Sequence, residues 1–469
     1  MIFQFEKFSF NKIIYFFSFT LILFTFACEA PQTTTTTNQI VANNAPVSAP
    51  SAAPAQQKSA GASLPVTLPV LDAMFADETF AVDLKSKLQL TDEQIDRVKT
   101  TAREAVSNLS EEGYDENSGS TRAAVERSNT QIRAILGEEK ANQLFEMVRL
   151  RWNGGDDAGN IAANPGARPN SVPSDTRVVV NAPAYRMDLF DDGKLVKTYK
   201  IGIGYPEFPL PVGMRKADTI IFNPTWTPPD EPWVKGKFAP GKTVEAGSKD
   251  NPLGPIKIPI GLPSLIHGGK SAARLGSFAS HGCVGLTNPQ IKDFAFNIAR
   301  LSGMDLMPED VKNYEKQKSE TKNVKLGNAV PVELRYETIV VEDGKLKIFR
   351  DVYERGTNTE ENLRAVLDGY GVSIDNLNPQ LRQRIVDGLK QMAIDAAGQP
   401  VDPNGNKNSN GNSNSNSNGN KNSNANSKAN ANADGGSVTR SIKGKKEVSF
   451  DVAELKGKGF PAPVNLSQQ

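Results

Sequence analysis

The chain has 469 residues, with 54 basic against 53 acidic side chains, a net charge of +1, and only two cysteines and two histidines. So few cysteines exclude a disulfide-dense scaffold and a four-cysteine zinc or iron–sulfur site, and the charge balance lacks the basic excess of a nucleic-acid binder, so no nucleic-acid partner is expected. The length allows roughly two or three domains at about 150 residues each, and the 38% apolar content implies sizeable segments without a packed core.

Residues 1–12 carry Lys7 and Lys12, and Ile13–Ala27 then runs 15 residues without a charge. That suits the apolar core of an export signal and falls short of the ~20 residues that span a bilayer. Ala27-Cys28 follows at once. A small residue before a cysteine at this place resembles a bacterial lipoprotein cleavage site, although Thr25 stands where that pattern prefers Leu. The resemblance implies a signal peptide over 1–27 and a diacylated Cys28, whose two acyl chains would anchor the protein to a membrane. Ordinary signal cleavage, or an uncleaved anchor, is the alternative. Each version exports the rest of the chain to the periplasm or cell envelope.

Residues 28–63, rich in Thr, Ala, Pro, Ser and Gln, read as a disordered tether. A helical domain is expected over 64–152. Thr91 and Gln94 occupy capping-box positions, and Ile95, Val98, Ala102, Ala105 and Leu109 recur at helical spacing. Two more periodic runs follow: Val125, Ile132, Ile135 and Leu136, then, past Gly137, Ala141, Leu144, Phe145 and Val148. Leu90–Gln94 resembles the LTxxQ motif of small periplasmic helical proteins of the Spy/CpxP type, but the motif is only five residues long and the stretch is read in the first place as a capped amphipathic helix in a small bundle. Residues 153–174 read as a linker. The period then drops to two, and a mostly-β domain with a few helices, a sandwich or barrel, is expected over 175–355. Asp191-Asp192-Gly193-Lys194 marks a hairpin turn. Asn288-Pro289 reads as a helix N-cap followed by proline in the first turn, with Ile291, Phe294, Ala295 and Ile298 as the apolar face. A hairpin of Val332–Val341 and Lys345–Val352 is expected to close the domain. A helical extension over 356–400 contains Glu360–Asp368 and a helix begun by Asn378-Pro379. The Asn/Ser-rich stretch 401–436 reads as a low-complexity linker. The tail 437–469, with six basic against three acidic side chains, reads as solvated, with an edge strand over Glu447–Val452 as the alternative.

The chemistry concentrates in one window. His267, His281 and Cys283 lie within 17 residues and include every imidazole in the chain. A thiol needs a nearby base or cation to act as a nucleophile near neutral pH. On an extended segment His281 and Cys283 point the same way, and Gly282 and Gly285 allow close backbone approach. Read from the residues alone, the cluster is a thiol nucleophile with its base, a three-ligand zinc site, or a buried cysteine among packed histidines.

The pattern His267-Gly268, Ser280-His281-Gly282-Cys283-Val284 and Asn288 resembles the signature of L,D-transpeptidases with a YkuD-type catalytic domain. Asn223–Pro229 and Asn251–Pro259 are similar to segments of the long periplasmic members, and the resemblance covers Thr176 to Val352. It implies Cys283 as nucleophile, His267 as general acid/base and His281 as an orienting group. Ser280, Gly282 and Gly268 would shape the loop, with the N–H groups of Gly282 and Cys283 facing an oxyanion. No metal or organic cofactor is implied. The implied reaction is attack of Cys283 on the L-centre carbonyl of residue 3 of a peptidoglycan tetrapeptide stem, release of D-Ala, and resolution of the thioester by an amine. The product would be a 3–3 crosslink or, with a protein amine, a wall-anchored protein; water would make the enzyme an L,D-carboxypeptidase. An inactive wall-binding domain, and a chaperone-like helical lipoprotein with a wall-targeting β domain, are the other readings. Two positions depart from the family: Gly285 replaces its usual Arg, and Gly269 its usual Thr or Ser.

Overall fold

The computed structural model describes residues 63–107, 109–110, 120–153, 169–227, 242–261, 263–395, 398, 400–401, 436–437 and 441–464. The expected signal peptide, Cys28, most of the tether and the Asn/Ser-rich stretch lie outside them. The described residues all fall within one compact unit, Ser59–Gln469.

Four helices precede the sheet: α1 (Leu68–Met74), α2 (Glu78–Lys87), α3 (Asp92–Ser107) and α4 (Thr121–Trp152). Thr91 and Gln94 form the expected reciprocal cap on α3: Gln94 N–H donates to Thr91 Oγ1 at 3.2 Å, and Thr91 N–H to Gln94 Oε1 at 3.1 Å. The second and third periodic runs share α4, which breaks at Gly137 (φ 76°, ψ 170°), a conformation that L side chains rarely adopt. Val98, Ala102, Ile132, Ala141, Leu144, Phe145 and Val148 join Phe80 and Leu84 in one apolar core. Among the described residues, no helix is long and apolar enough to cross a membrane.

The large sheet contains β1 (Arg177–Asn181), β2 (Arg186–Asp191), β3 (Lys194–Lys200), β5 (Gly213–Phe222), β6 (Ile256–Pro259), β7 (Leu265–His267), β9 (Val284–Gly285) and β10 (Lys322–Arg335). Its order is β9-β7-β6-β5-β10-β1-β2-β3. Two short strands, β4 (Ile203–Gly204) and β8 (Phe278–Ser280), pair beside it in parallel. The Asp191–Lys194 turn joins β2 to β3 as expected, with Asp192 and Gly193 at positive φ. Helix α5 (Asn288–Leu301) lays Ile291, Phe294, Ala295 and Ile298 into the sheet's core. Its N-cap is Thr287 rather than Asn288: Thr287 and Gln290 make a capping box, and this leaves the Asn288 side chain for other work. A further helix, α6 (Pro308–Lys316), leads into β10.

The carboxy-terminal third departs from expectation. Residues 332–335 end β10 inside the large sheet, so the expected hairpin strand over Val332–Val341 is two strands. The hairpin of β11 (Ile339–Glu342) and β12 (Lys345–Phe349) belongs to a second sheet completed by β13 (Glu447–Asp451). Helices α7 (Glu360–Gly369) and α8 (Pro379–Met392) pack on that sheet, burying Leu363, Leu367, Ile385 and Leu389 with Leu346 and Ile348. The hairpin therefore shares its core with the helical extension rather than closing the large sheet. The tail is also not solvated over 447–455. Phe450, Val452 and Leu455 are buried, and β13 occupies an edge that would otherwise expose unpaired backbone groups. A tail with basic residues between its apolar ones gave little periodic signal for this pairing.

Replacing Phe450 by Ala should therefore cost about 3 kcal/mol or more, the usual range for a buried phenylalanine, measured by denaturant unfolding. A solvated tail would change by no more than about 0.5 kcal/mol.

Candidate active site

Strand register assembles the site. In β7 and β9, which run parallel, Ile266 lies opposite Val284 and His267 opposite Gly285. In the antiparallel pair β6–β7, Ile258 lies opposite Ile266 and Lys257 opposite His267. Cross-strand partners share a face and neighbours along a strand alternate. Ile258, Ile266 and Val284 are wholly buried in the core, so Lys257, His267 and Gly285 form a row on the opposite face. Cys283 precedes β9 by one residue. The same alternation places it on the face of His267, diagonal to it across the strand pair. A backbone hydrogen bond from Leu265, its neighbour in register, favours the thiolate.

Both groups are held neutral. His267 is buried, and desolvation, then the charge of Lys270, push its pKa down to about 3, against opposing hydrogen bonds that the Gly268 and Leu253 carbonyls accept from the ring and with a further depression from Lys257. Its Nδ1 lies 2.7 Å from the Gly268 carbonyl, which can only accept, and this contact favours the neutral tautomer with the proton on Nδ1 and the lone pair on Nε2. Desolvation also raises the Cys283 thiol above its ordinary 9.0, opposed by the Leu265 hydrogen bond and by Lys270 and Lys257. The thiol and the imidazole are thus both neutral at rest, and the two lysines favour negative charge on the sulfur.

The turn before Cys283 is built by short polar contacts. Ser280 Oγ donates to the Cys283 carbonyl at 2.5 Å and accepts from the Cys283 N–H at 3.0 Å. Ser280 therefore shapes the loop, but it takes up the Cys283 N–H that was expected to face an oxyanion. Gly282 has φ +90°, the left-handed side that favours glycine, and its carbonyl accepts from Ser264 Oγ at 2.9 Å. Asn288, freed by the Thr287 cap, accepts from the Gly269 N–H at 2.8 Å and so ties α5 to the turn after His267. A Cβ on Gly268 would come within 2.8 Å of Ile291 Cγ2.

Both departures from the family pattern have local causes. A Cβ at Gly269, which has φ +80°, would meet the Pro252 carbonyl at 2.4 Å. A Cβ at Gly285 would meet Lys270 Cγ at 2.8 Å, so the lysine stem fills the space above this glycine. The two stretches similar to long family members are joined: Asn251 Nδ2 donates to the Pro224 carbonyl at 2.7 Å, and Asn223 N–H to the Pro255 carbonyl at 2.7 Å. Pro228 and Pro229 lie outside the described residues.

His281 lies against two aromatic rings. Its ring packs edge-on against Tyr205 and Phe208, at centroid distances of 5.0 and 4.7 Å. Among the described residues, no group of three His, Cys, Asp or Glu could hold a metal ion. Sequence reasoning missed Lys257, Lys270, Tyr205 and Phe208. Lys257 did leave a signal, as a lone cation inside the apolar run Ile256–Ile260.

Residues 175–330 match the family model of the YkuD L,D-transpeptidase catalytic domain. A relative from Escherichia coli K12, "Probable L,D-transpeptidase YbiS", is 32% identical over 119 residues, 24% of this chain and 39% of its own. "Putative L,D-transpeptidase YqjB" from Bacillus subtilis 168 is 24% identical over 170 residues, 35% of this chain and 89% of its own. The chain thus spans about two fifths of the length of the Escherichia coli relative. Among solved structures, the catalytic domain of the E. faecium L,D-transpeptidase aligns over 35% of this chain and 100% of its own, with 19% identity and a TM-score of 0.23.

A raised thiol predicts the pH profile of Cys283 alkylation. The rate with iodoacetamide should be low at neutral pH and still climbing above about pH 9, because only the thiolate reacts. A plateau between about pH 5 and 8 would mean that an ion pair is preformed.

Proposed function

With residues 175–330 forming an L,D-transpeptidase catalytic domain of the YkuD type, we propose that this protein remodels peptidoglycan by cysteine acyl transfer. The observation that carries the reading is the strand register, Val284 opposite Ile266 and Gly285 opposite His267, which by alternation sets Cys283 on the face of His267; the Gly268 carbonyl at His267 Nδ1 favours a free lone pair on Nε2. In the first step Sγ bonds to the carbonyl carbon of the L-centre at residue 3 of a tetrapeptide stem, and the thiol proton passes to His267 Nε2. The proton then goes to the departing D-Ala amine, and a thioester remains on Cys283. In the second step His267 Nε2 takes a proton from the acceptor amine as it attacks, and the thiol is regenerated.

The neutral resting pair suits this order. Proton transfer accompanies attack, so charge appears only when a carbonyl is present to receive it. The positive charges of Lys257 and Lys270 favour the anionic form of Cys283, and the same field would favour an oxyanion formed beside it. No step calls on a metal or organic cofactor. The acceptor amine belongs to a second stem, giving a 3–3 crosslink, or to a protein that becomes anchored to the wall. The chain is proposed to work in the cell envelope, held to a membrane through a lipidated Cys28. Cys28→Ser should release it from the membrane fraction; unchanged sedimentation with membranes would overturn the anchor.

Mass spectrometry of muropeptides after incubation with the full chain tests the activity. Loss of D-Ala with appearance of 3–3 dimers is expected, and both should disappear in Cys283→Ala. D-Ala loss without dimers would make the protein a carboxypeptidase, and neither product would make it a binding domain. A carbapenem should add one mass per chain at Cys283.

A further inference from the structure

The segment Gly204–Leu210 leaves β4 and forms the wall behind His281. Tyr205 and Phe208 reach inward to the imidazole, and the Tyr205 N–H donates to the Ser280 carbonyl at 2.8 Å. The segment also presses on the nucleophile's turn: a Cβ on Gly204 would lie 3.1 Å from Gly282 Cα. Beyond the two residues of β4 it belongs to no strand, so its buried carbonyls need donors from elsewhere.

Two of those donors come from the amino-terminal helices. Thr121 Oγ1, at the first residue of α4, donates to the Pro206 carbonyl at 2.7 Å. Thr67 Oγ1, the N-cap of α1, donates to the Glu207 carbonyl at 2.6 Å. Both threonines are buried. The residues following the second sheet's hairpin hold the segment's ends: Tyr353 Oη donates to the Gly204 carbonyl at 2.9 Å, and Arg355 Nη2 to the Leu210 carbonyl at 3.1 Å. The family match, residues 175–330, contains none of these four donors.

We propose that Thr67 and Thr121 are positioning residues: the helical domain holds Gly204–Leu210 against His281 through these two hydroxyls and thereby sets the turn that carries Cys283. The helical domain is then a part of the active site's frame and not only a spacer. As a statement about catalysis this rests on the acyl-transfer reading; as a statement about geometry it does not.

The test uses the full chain with Thr67→Val, Thr121→Val and both together, and Thr→Ser at each position as the hydroxyl-retaining control. Three quantities are read: the thermal midpoint, the His281 ring resonance, and the rate of carbapenem acylation at Cys283. His281 reports directly because Tyr205 and Phe208 rings lie against it. The valine variants should shift the His281 resonance and slow acylation on the order of tenfold or more, as misplacement of reacting groups does. The serine variants should restore both. The proposal is overturned if the valine variants keep the wild-type resonance and rate, even where the helical domain has melted, or if serine is as harmful as valine. Should a valine variant fail to fold, Thr→Ala at the same position removes the hydroxyl with less crowding and is read in the same way. If the wild type itself does not acylate, the acyl-transfer reading fails, and the His281 resonance alone decides the positioning proposal.

Discussion

The structure depends on one short strand pairing. β9 is two residues long and lies parallel to β7, at the edge of the large sheet. That register puts Gly285 beside His267 and brings Cys283 onto the same face, while Val284 and Ile266 bury the opposite face in the core. Because side chains alternate along a strand, a slip of one residue would turn the thiol into the core and its neighbour outward. The surrounding contacts read as defences of this register. Gly202 and Gly285 exchange two backbone hydrogen bonds at 2.9 Å, Lys270 N–H donates to the Leu286 carbonyl, and Leu286 N–H to the His267 carbonyl. Ser280 and Ser264 hold the turn from within, and Asn288 ties helix α5 to Gly269.

The same packing sets the electrostatics. Burial disfavours the charged form of both His267 and Cys283, which argues against a preformed ion pair. The lysines on either side, Lys257 in register with His267 and Lys270 over Gly285, lower the histidine further while favouring charge on sulfur. The imidazole is therefore neutral and the thiol protonated, the state from which the proposed acyl transfer starts. Gly285 fits this arrangement: a larger residue there would have to displace the Lys270 stem.

Much of this was legible in the residues, and the limits follow from range. Local signals held: the Thr91 capping box, the Asp191–Lys194 turn, the apolar face of α5 and the Asn378 cap on α8 are all present. The His/Cys cluster was visible because its members are close in the chain. Interactions between distant residues were not. Periodicity could not tell that Glu447–Asp451 would pair with Lys345–Phe349, nor that one strand would end at Arg335 and another begin at Ile339. Nor could it show why Gly269 is glycine, since the obstacle is the Pro252 carbonyl on another loop. The N-cap of α5 fell one residue early because Thr287 and Asn288 are both good caps; the nearby Gly269 N–H gives Asn288 a different partner.

The central claim is that His267 rests as a neutral base with its proton on Nδ1. With two histidines in the chain, nitrogen NMR of imidazole-labelled protein across a pH titration reads this directly. The account predicts a neutral His267 ring, protonated on Nδ1, from about pH 5 to 9, well away from the ordinary imidazole range. An imidazolium signal at neutral pH, or a neutral ring protonated on Nε2, would contradict it.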